Sequence, residues 1–132
     1  MPRPARGFTL IEQIVALTIT GAASAAALPA LADLQAQADA TALLQLASAA
    51  GSAMALNYAG CLVTHQRVVA GKCQPVADCH QVDALLQAGL PAGYRVPAQG
   101  LPAPSAGLET SCQVQDQRSG AVLSFRAYST GA

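Results

Sequence analysis

The sequence predicts an α+β chain in which one long N-terminal helix precedes a small head with an antiparallel sheet and disulfides. Three observations lead to this prediction. Residues 13–32 contain no charged side chain, and helical apolar spacing then continues to about Tyr58. All four cysteines lie between residues 61 and 112, beside a hairpin pattern. With 132 residues, the chain has room for one small domain.

The composition limits what the head can be. Hydrophobic residues make up 52% of the chain, but most are Ala and Leu, and Trp is absent. Such a chain has little aromatic area for a core, so covalent cross-links or contacts with neighbouring subunits are expected to stabilise the head. The formal net charge is zero, so no overall field attracts nucleic acid or anionic lipid.

The uncharged N-terminal run has the length of a membrane span. As a helix, residues 13–32 would be about 30 Å long, the thickness of a bilayer core. Arg3 and Arg6 precede the run, which places Met1 in the cytoplasm and the rest of the chain in the periplasm. A cleavable signal peptide and a plain single-span anchor both fit this pattern.

Glu12 argues against both of these simple interpretations. A charged acid in an apolar helix costs about 2.5–3.5 kcal/mol at mid-membrane, and less near the interface. A generic signal peptide or anchor has no use for such a residue. An acid placed there is therefore a candidate functional residue whose partner should be identified.

The stretch GFTLIE, residues 7–12, directly after a short basic leader, resembles the N-terminus of type IV prepilins. Gly21 and Pro29 also stand where such pilins commonly carry glycine and proline. The resemblance is specific over residues 6–34, looser up to Cys61 and weak beyond, and Gln13 departs from it because an apolar residue is more usual there. It implies a pilin fold, with the long helix packed on a small antiparallel sheet.

The resemblance also implies how the N-terminus is processed. Prepilin peptidase would cut between Gly7 and Phe8 and methylate the new amine of Phe8. Glu12 would then face the Phe8 amine of a subunit already docked, because paired charges in an apolar medium offset much of each other's cost. Glu12 would thus set the register of assembly. Between Gly21 and Pro29 the helix is expected to kink and to lose helicity readily.

Four segments follow from these assignments. Residues 1–7 are the cleaved leader, 8–34 the transmembrane and filament-core half of the helix, 35–58 its amphipathic half, and 59–132 the periplasmic head. Apolar residues that recur at spacings of three and four form the predicted apolar face of the helix: Leu31, Leu34, Ala38, Ala42, Leu46, Ala49, Ala53 and Leu56.

The head is expected to contain a short helix and three or four strands. Asp78 can cap the helix with Gln81 as its capping-box partner, and Gly89 and Pro91 would end it. Strands are predicted at 93–96, 111–115 and 121–128, and in the last of these Ala121, Leu123, Phe125 and Ala127 form the inward face. One further strand is not visible in the sequence.

In a periplasmic head the four cysteines should be oxidised. Three pairings are open to four cysteines, and Cys61–Cys73 with Cys79–Cys112 is favoured. The first would close a loop after the long helix, and the second would tie the small helix to the hairpin. Each bond of this kind contributes about 3 kcal/mol.

Other chemistries find little support. The cysteine and histidine spacing fits no strong zinc pattern, and neither an enzymatic motif nor a cofactor site is recognisable. A weak patch for DNA, as in DNA-capturing minor pilins, would need Arg67, Lys72 and Arg118 to converge. The main pseudopilin of type II secretion systems usually has an acid-rich calcium site near its C-terminus, whereas the last 20 residues here hold only Asp116.

The sequence therefore predicts a structural subunit of a type IV pilus, with a pseudopilin or a DNA-capturing minor pilin as alternatives. Its expected partners are prepilin peptidase, other pilin subunits, the inner-membrane assembly platform and the inner membrane itself. No cofactor is expected, and nucleic acid is the least favoured partner.

Overall fold

The computed structural model describes Gly7 and residues 9–104 and 108–131, and for residues 24 and 26–29 it describes the backbone alone. Contacts divide the chain into two compact units, Met1–Asp39 and Ala40–Ala132. The elements in chain order are α1 (Leu10–Val63), a 3-10 helix (Cys79–Gln81), α2 (Val82–Leu85), β1 (Tyr94–Arg95), β2 (Thr110–Asp116) and β3 (Val122–Ala127). One long helix, a three-stranded antiparallel sheet and two disulfides match an α+β pilin fold, as predicted.

The backbone of α1 is helical through both Gly21 and Pro29. Proline has no N–H, so the helix has one backbone hydrogen bond fewer at this point. The predicted kink at Pro29 and the predicted ready loss of helicity in this segment stay predictions. The side chain of Pro29 lies outside the described residues.

The long helix ends at Val63, beyond the predicted end at Tyr58. Its last turn is closed by two backbone bonds: the His65 N–H donates to the Leu62 carbonyl at 3.2 Å and the Gln66 N–H to the Cys61 carbonyl at 2.7 Å. This is the Schellman arrangement, with His65 at φ +54° in the position that glycine usually takes. Because the sequence has no glycine at this position, it lacks the usual signal for the C-terminal end of the helix.

The face of α1 that packs on the head lies one residue further along than predicted. Its buried side chains recur at spacings of four and three: Leu43, Ala47, Ala50, Met54, Asn57 and Cys61. Of the predicted face, Leu46 and Ala53 are half-buried, whereas Ala42, Ala49 and Leu56 are exposed. In an Ala-rich helix nearly every face is apolar, so spacing alone does not choose between neighbouring stripes.

The sheet has the order β1-β2-β3, and both pairs are antiparallel. Pairing of β2 with β3 runs from Thr110 opposite Ala127 to Gln115 opposite Val122. All three predicted strands are found, and each end is shifted by one residue. Within the described residues no fourth strand joins the sheet, and three isolated bridges occur outside it.

The core side of β3 agrees with the predicted alternation except at its start. Phe125 and Ala127 are buried and Leu123 is half-buried, but Ala121 is exposed. Ala121 belongs to the turn: its N–H donates to the Ser119 hydroxyl at 3.2 Å and its carbonyl accepts from the Asp116 N–H at 2.9 Å. A residue that closes the turn in this way does not face the core.

The predicted capping box is present. The Asp78 carboxylate accepts from the His80 N–H at 3.1 Å, and the Gln81 side chain accepts from the Asp78 N–H at 3.0 Å. The His80 N–H, as the largest influence, holds the pKa of Asp78 below its usual value. The helical segment that follows ends at Leu85, before the predicted stop at Gly89.

Two disulfides join the head, Cys61–Cys73 and Cys79–Cys112, with Cα–Cα distances of 4.6 Å and 5.7 Å. This is the pairing that the sequence favoured. The first bond links the end of α1 to the segment around Cys73. The second links the 3-10 helix to β2, and all four sulfur-bearing side chains are fully buried.

Asn57 connects α1 to two further segments of the head. Its amide donates to the Gln74 carbonyl and to the Thr130 hydroxyl, both at 2.9 Å, and its carbonyl oxygen accepts from the Gln74 N–H at 2.8 Å. The side chain is 9% exposed. A buried amide whose donors and acceptor are all used fixes one rotation of the helix against its neighbours.

Replacing Gly60 with Ala is expected to destabilise the head, because the new Cβ would lie 1.9 Å from the Lys72 carbonyl oxygen. The clash should cost about 2 kcal/mol or more and outweigh the better helix propensity of Ala. Gly51→Ala is the matched control, since its Cβ would make an ordinary contact at 3.7 Å with Phe125. It should raise stability by about 0.5–1 kcal/mol.

The readout for both glycine variants is thermal unfolding of the full chain in detergent micelles. Near-ultraviolet circular dichroism of Tyr58 and Tyr128 reports on the head, because their rings stack at a centroid distance of 4.6 Å. Equal melting temperatures for the two variants would contradict the tight approach of Lys72 to the helix.

Removing the Cys79–Cys112 bond is expected to cost more stability than removing Cys61–Cys73. The two bonds span sequence separations of 33 and 12 residues. Loop-closure entropy then gives about 4 kcal/mol and about 3 kcal/mol, respectively. Paired Cys→Ala variants, unfolded by the same dichroism assay, check the order, and a reversed order would refute the entropic account.

Candidate functional site

The first turn of α1 is closed by a capping box that the sequence analysis missed. The Glu12 N–H donates to the Thr9 hydroxyl and the Thr9 N–H donates to Glu12 Oε2, both at 3.2 Å. Thr9 is therefore the N-cap residue and Glu12 the third helical residue. The Thr-x-x-Glu spacing before an apolar run was a signal that could have predicted this.

Glu12 thus has a local role together with the proposed register role. One carboxylate oxygen accepts a hydrogen bond from the Thr9 N–H, and the exposed carboxylate also lies at the positive end of the helix dipole. None of the ion pairs among the described residues includes Glu12. The charge is consequently available to a cation from outside the described chain.

Gly7 is exposed, and a Cβ added there would meet nothing within 4 Å. The fold of this chain therefore does not require glycine at this position, and a reason for it would lie in an enzyme that handles the segment. Phe8, on the other side of the predicted cut, lies outside the described residues.

The apolar side chains after Glu12 are open to the surroundings. The large ones are 51–74% exposed: Leu10, Ile11, Ile14, Val15, Leu17 and Ile19. Thr18 and Thr20 turn their hydroxyls onto the carbonyls of Ile14 and Ala16, both at 2.8 Å. A helix that satisfies its hydroxyls internally and exposes apolar groups all round suits an apolar environment.

Length and composition alone would allow one described segment, Ala30–Val63, to cross a membrane, and Leu10–Ala23 is a shorter apolar helix segment. The longer segment includes Leu43, Ala47, Ala50 and Met54, which pack in the head core. Packing within the head therefore explains the apolar residues on one face of this segment, whereas Leu44 and Leu56 are exposed.

The three cations of the predicted DNA patch lie on two different elements. Arg67 and Lys72 belong to the loop that the Cys61–Cys73 bond closes. Arg118 is in the turn between β2 and β3, where its Nε lies 3.7 Å from Asp116 Oδ1. The Arg118 charge thus has a carboxylate neighbour within the head.

The cysteines offer no thiolate to a metal, because each is bonded to another cysteine. Over the described ranges, no group of three or more His, Cys, Asp or Glu side chains is placed to hold a metal ion. Asp116 is buried, and its carboxylate accepts the Arg118 N–H at 2.9 Å. That hydrogen bond is the main reason why the pKa of Asp116 lies below its usual value.

Comparison with known proteins gives one match. Residues 2–28 match the family model described as the prokaryotic N-terminal methylation motif. This is the type IV prepilin-like signal, and it covers the predicted cut, Glu12 and the exposed apolar turns. No curated protein and no solved structure matches the chain.

The motif supports a type IV pilin-like or pseudopilin subunit. It implies cleavage by prepilin peptidase and assembly with other pilin subunits. Together with the apolar helix, it suggests insertion into the inner membrane and later assembly into a pilus. Pilin-type subunits are structural proteins.

Proposed function

We propose that this chain is a structural subunit of a type IV pilus, cut between Gly7 and Phe8 and assembled through α1. The observation that carries the proposal is the coincidence of the methylation motif at residues 2–28 with a helix whose apolar side chains are exposed. Exposed apolar surface of this extent needs a lipid or protein cover. The bilayer would cover this surface before assembly, and neighbouring helices would cover it in the filament.

In this proposal Glu12 sets the register of assembly. Cutting before Phe8 creates an ammonium group four residues before Glu12 in the sequence. The apolar contacts between helices have no preferred axial position, because the hydrophobic effect is non-directional. A carboxylate of one subunit and the Phe8 amine of another would define one position.

The proposed layout keeps the segments predicted from the sequence. Residues 1–7 are the leader, with the N-terminus in the cytoplasm, and residues 8–34 lie in the inner membrane before assembly. The helix from residue 35 onward carries the periplasmic head of residues 59–132. Gly21 and Pro29 bracket the part of the helix that would change conformation in the filament, and the inner-membrane assembly platform would extract the subunit.

A pseudopilin of a type II secretion system is the second candidate, because the same N-terminal motif serves both kinds of subunit. Two observations favour the pilus. Asp116 is the one acid in the last 20 residues and is already engaged by the Arg118 N–H, so an acid-rich calcium site has no ligands there. Two buried disulfides stabilise the head instead.

Processing gives the first test of this proposal. Membrane-bound protein produced with prepilin peptidase should begin at methylated Phe8, and protein produced without it should keep residues 1–7. Intact-mass measurement distinguishes the two and counts the disulfides. A chain that begins near residues 26–31 instead would identify an ordinary signal-peptidase substrate and refute the proposal.

Glu12→Gln separates the register role from the capping role. Glutamine can keep the capping box but has no charge, so filament yield should fall at least about tenfold, since an unpaired buried cation costs about 3–5 kcal/mol. Thr9→Ala is the matched control. It removes the capping hydroxyl that the Glu12 N–H uses and keeps the charge, so filaments should persist.

Filament yield is measured by shearing and electron microscopy, and the mass of each variant confirms that Phe8 is processed normally. Normal filaments from Glu12→Gln together with a defect in Thr9→Ala would show that Glu12 acts only as a cap.

A further inference from the structure

Residues 61–73 form a closed loop, here called the basic loop, at the end of α1. The Cys61–Cys73 disulfide joins its ends, and Val69 pairs with Cys73 through two backbone hydrogen bonds of 3.0 Å and 2.9 Å. The Thr64 hydroxyl also donates to the Arg67 carbonyl at 2.8 Å. These bonds fix the backbone of the loop before any partner arrives.

The surface of the basic loop combines aliphatic groups with positive charge. Leu62, Val63 and Val68 are 53%, 79% and 58% exposed. Arg67 lies between Val63 and Val68 in the sequence, Lys72 follows four residues after Val68, and residues 40–77 contain no acid at all. An exposed apolar surface that carries charge of one sign is typical of an interaction site.

Arg67 and Lys72 are also the two head cations whose side chains have no partner among the described residues. Arg126 Nε lies 3.1 Å from Glu109 Oε1, Arg118 lies beside Asp116, and Arg95 donates to Gln115 at 3.3 Å. The acids of the head are likewise engaged. Asp78 caps the 3-10 helix and Asp83 accepts from the Leu90 N–H.

Besides Glu12, two carboxylates remain among the described residues, and both are on α1 before the head. Asp33 and Asp39 form no ion pair within the described part of the chain, and Asp39 accepts only from the neutral Gln35 amide at 3.1 Å. Leu31 and Leu34, which are close to them in the sequence, are 58% and 60% exposed. This segment, residues 31–39, is called the acidic segment. Because it is helical, its two carboxylates project about 120° apart, and Leu31 and Leu34 lie on the other side of α1.

We propose that the basic loop of one subunit docks on the acidic segment of a second copy of this chain. The proposal rests on the filament function proposed above and adds a second contact to it. Two cations meet two carboxylates, and the exposed Leu and Val side chains of the basic loop lie against the exposed face of α1 around Ala36, between the two carboxylates. Charge complementarity then fixes which subunits meet, while the apolar groups provide most of the buried area.

Charge reversal tests the contact. Arg67→Glu with Lys72→Glu should lower filament yield about tenfold, because like charges would then face each other. Asp33→Lys with Asp39→Lys should do the same. The combination of all four changes should restore yield to near the wild-type level. Arg95→Glu is the matched control, an exposed cation whose partner is a neutral glutamine, and it should leave yield unchanged.

Cross-linking tests the contact directly, because Lys72 is the only lysine of the chain. A carbodiimide condenses an amine with a carboxylate to an amide and takes up the water that is lost. In wild-type filaments it should join Lys72 of one subunit to Asp33 or Asp39 of another, as mass spectrometry of the peptides would show. Lys72→Arg should remove this product.

The outcomes separate this inference from the filament proposal. Wild-type filaments that lack the cross-link, or a fourfold variant that is no better than either double variant, would overturn the inference alone. Reversal that spares filaments but abolishes binding to anionic lipid vesicles would overturn it in favour of a lipid surface. A chain that is not processed at Gly7 and builds no filament would refute the filament proposal instead.

Discussion

The packing of α1 within the head depends on one polar side chain in an otherwise apolar buried stripe. Asn57 occupies a position of the buried stripe where an apolar residue would be usual, and its three hydrogen bonds all go to Gln74 and Thr130. An alanine-rich surface could pack in several rotations with similar energy, but only one rotation satisfies this amide. The Cys61–Cys73 bond, one turn further along, holds the same rotation covalently.

That rotation also decides which side chains the helix leaves to other partners. With Met54 and Asn57 turned inward, Leu44 and Leu56 are 60% and 74% exposed. Near the N-terminal end of α1, three exposed polar side chains form hydrogen bonds with groups of the same helix or its cap: Thr9, Glu12 and Thr18. Hydroxyl groups that bond within the helix stay satisfied both in lipid and among neighbouring helices.

The sequence predicted those features that depend on local chemistry. The capping box at Asp78, the hairpin strands and the α+β class were all visible because each has a short pattern with a physical reason. It did not predict the helix end at Val63, because His65 adopts a conformation that glycine normally marks. The buried stripe of α1 lies one residue after the predicted stripe, because alanine gives neighbouring helix faces almost equal hydrophobicity. Thr9 and Asn57 were missed, although the Thr-x-x-Glu spacing was a usable signal for Thr9.

The scarcity of charge gives each charged residue unusual weight. The chain has 7 basic and 7 acidic residues, and its apolar surfaces are mostly Ala and Leu, which fit many axial positions equally well. In the proposed mature subunit, cleavage removes Arg3 and Arg6 and creates the Phe8 amine. The head cations near Glu109, Asp116 and Gln115 are engaged locally. The remaining charges are the Phe8 amine with Glu12, and Arg67 and Lys72 with Asp33 and Asp39. In the proposed filament, two such contacts, at Glu12 and at Asp33 with Asp39, would define an axial position and also a neighbour.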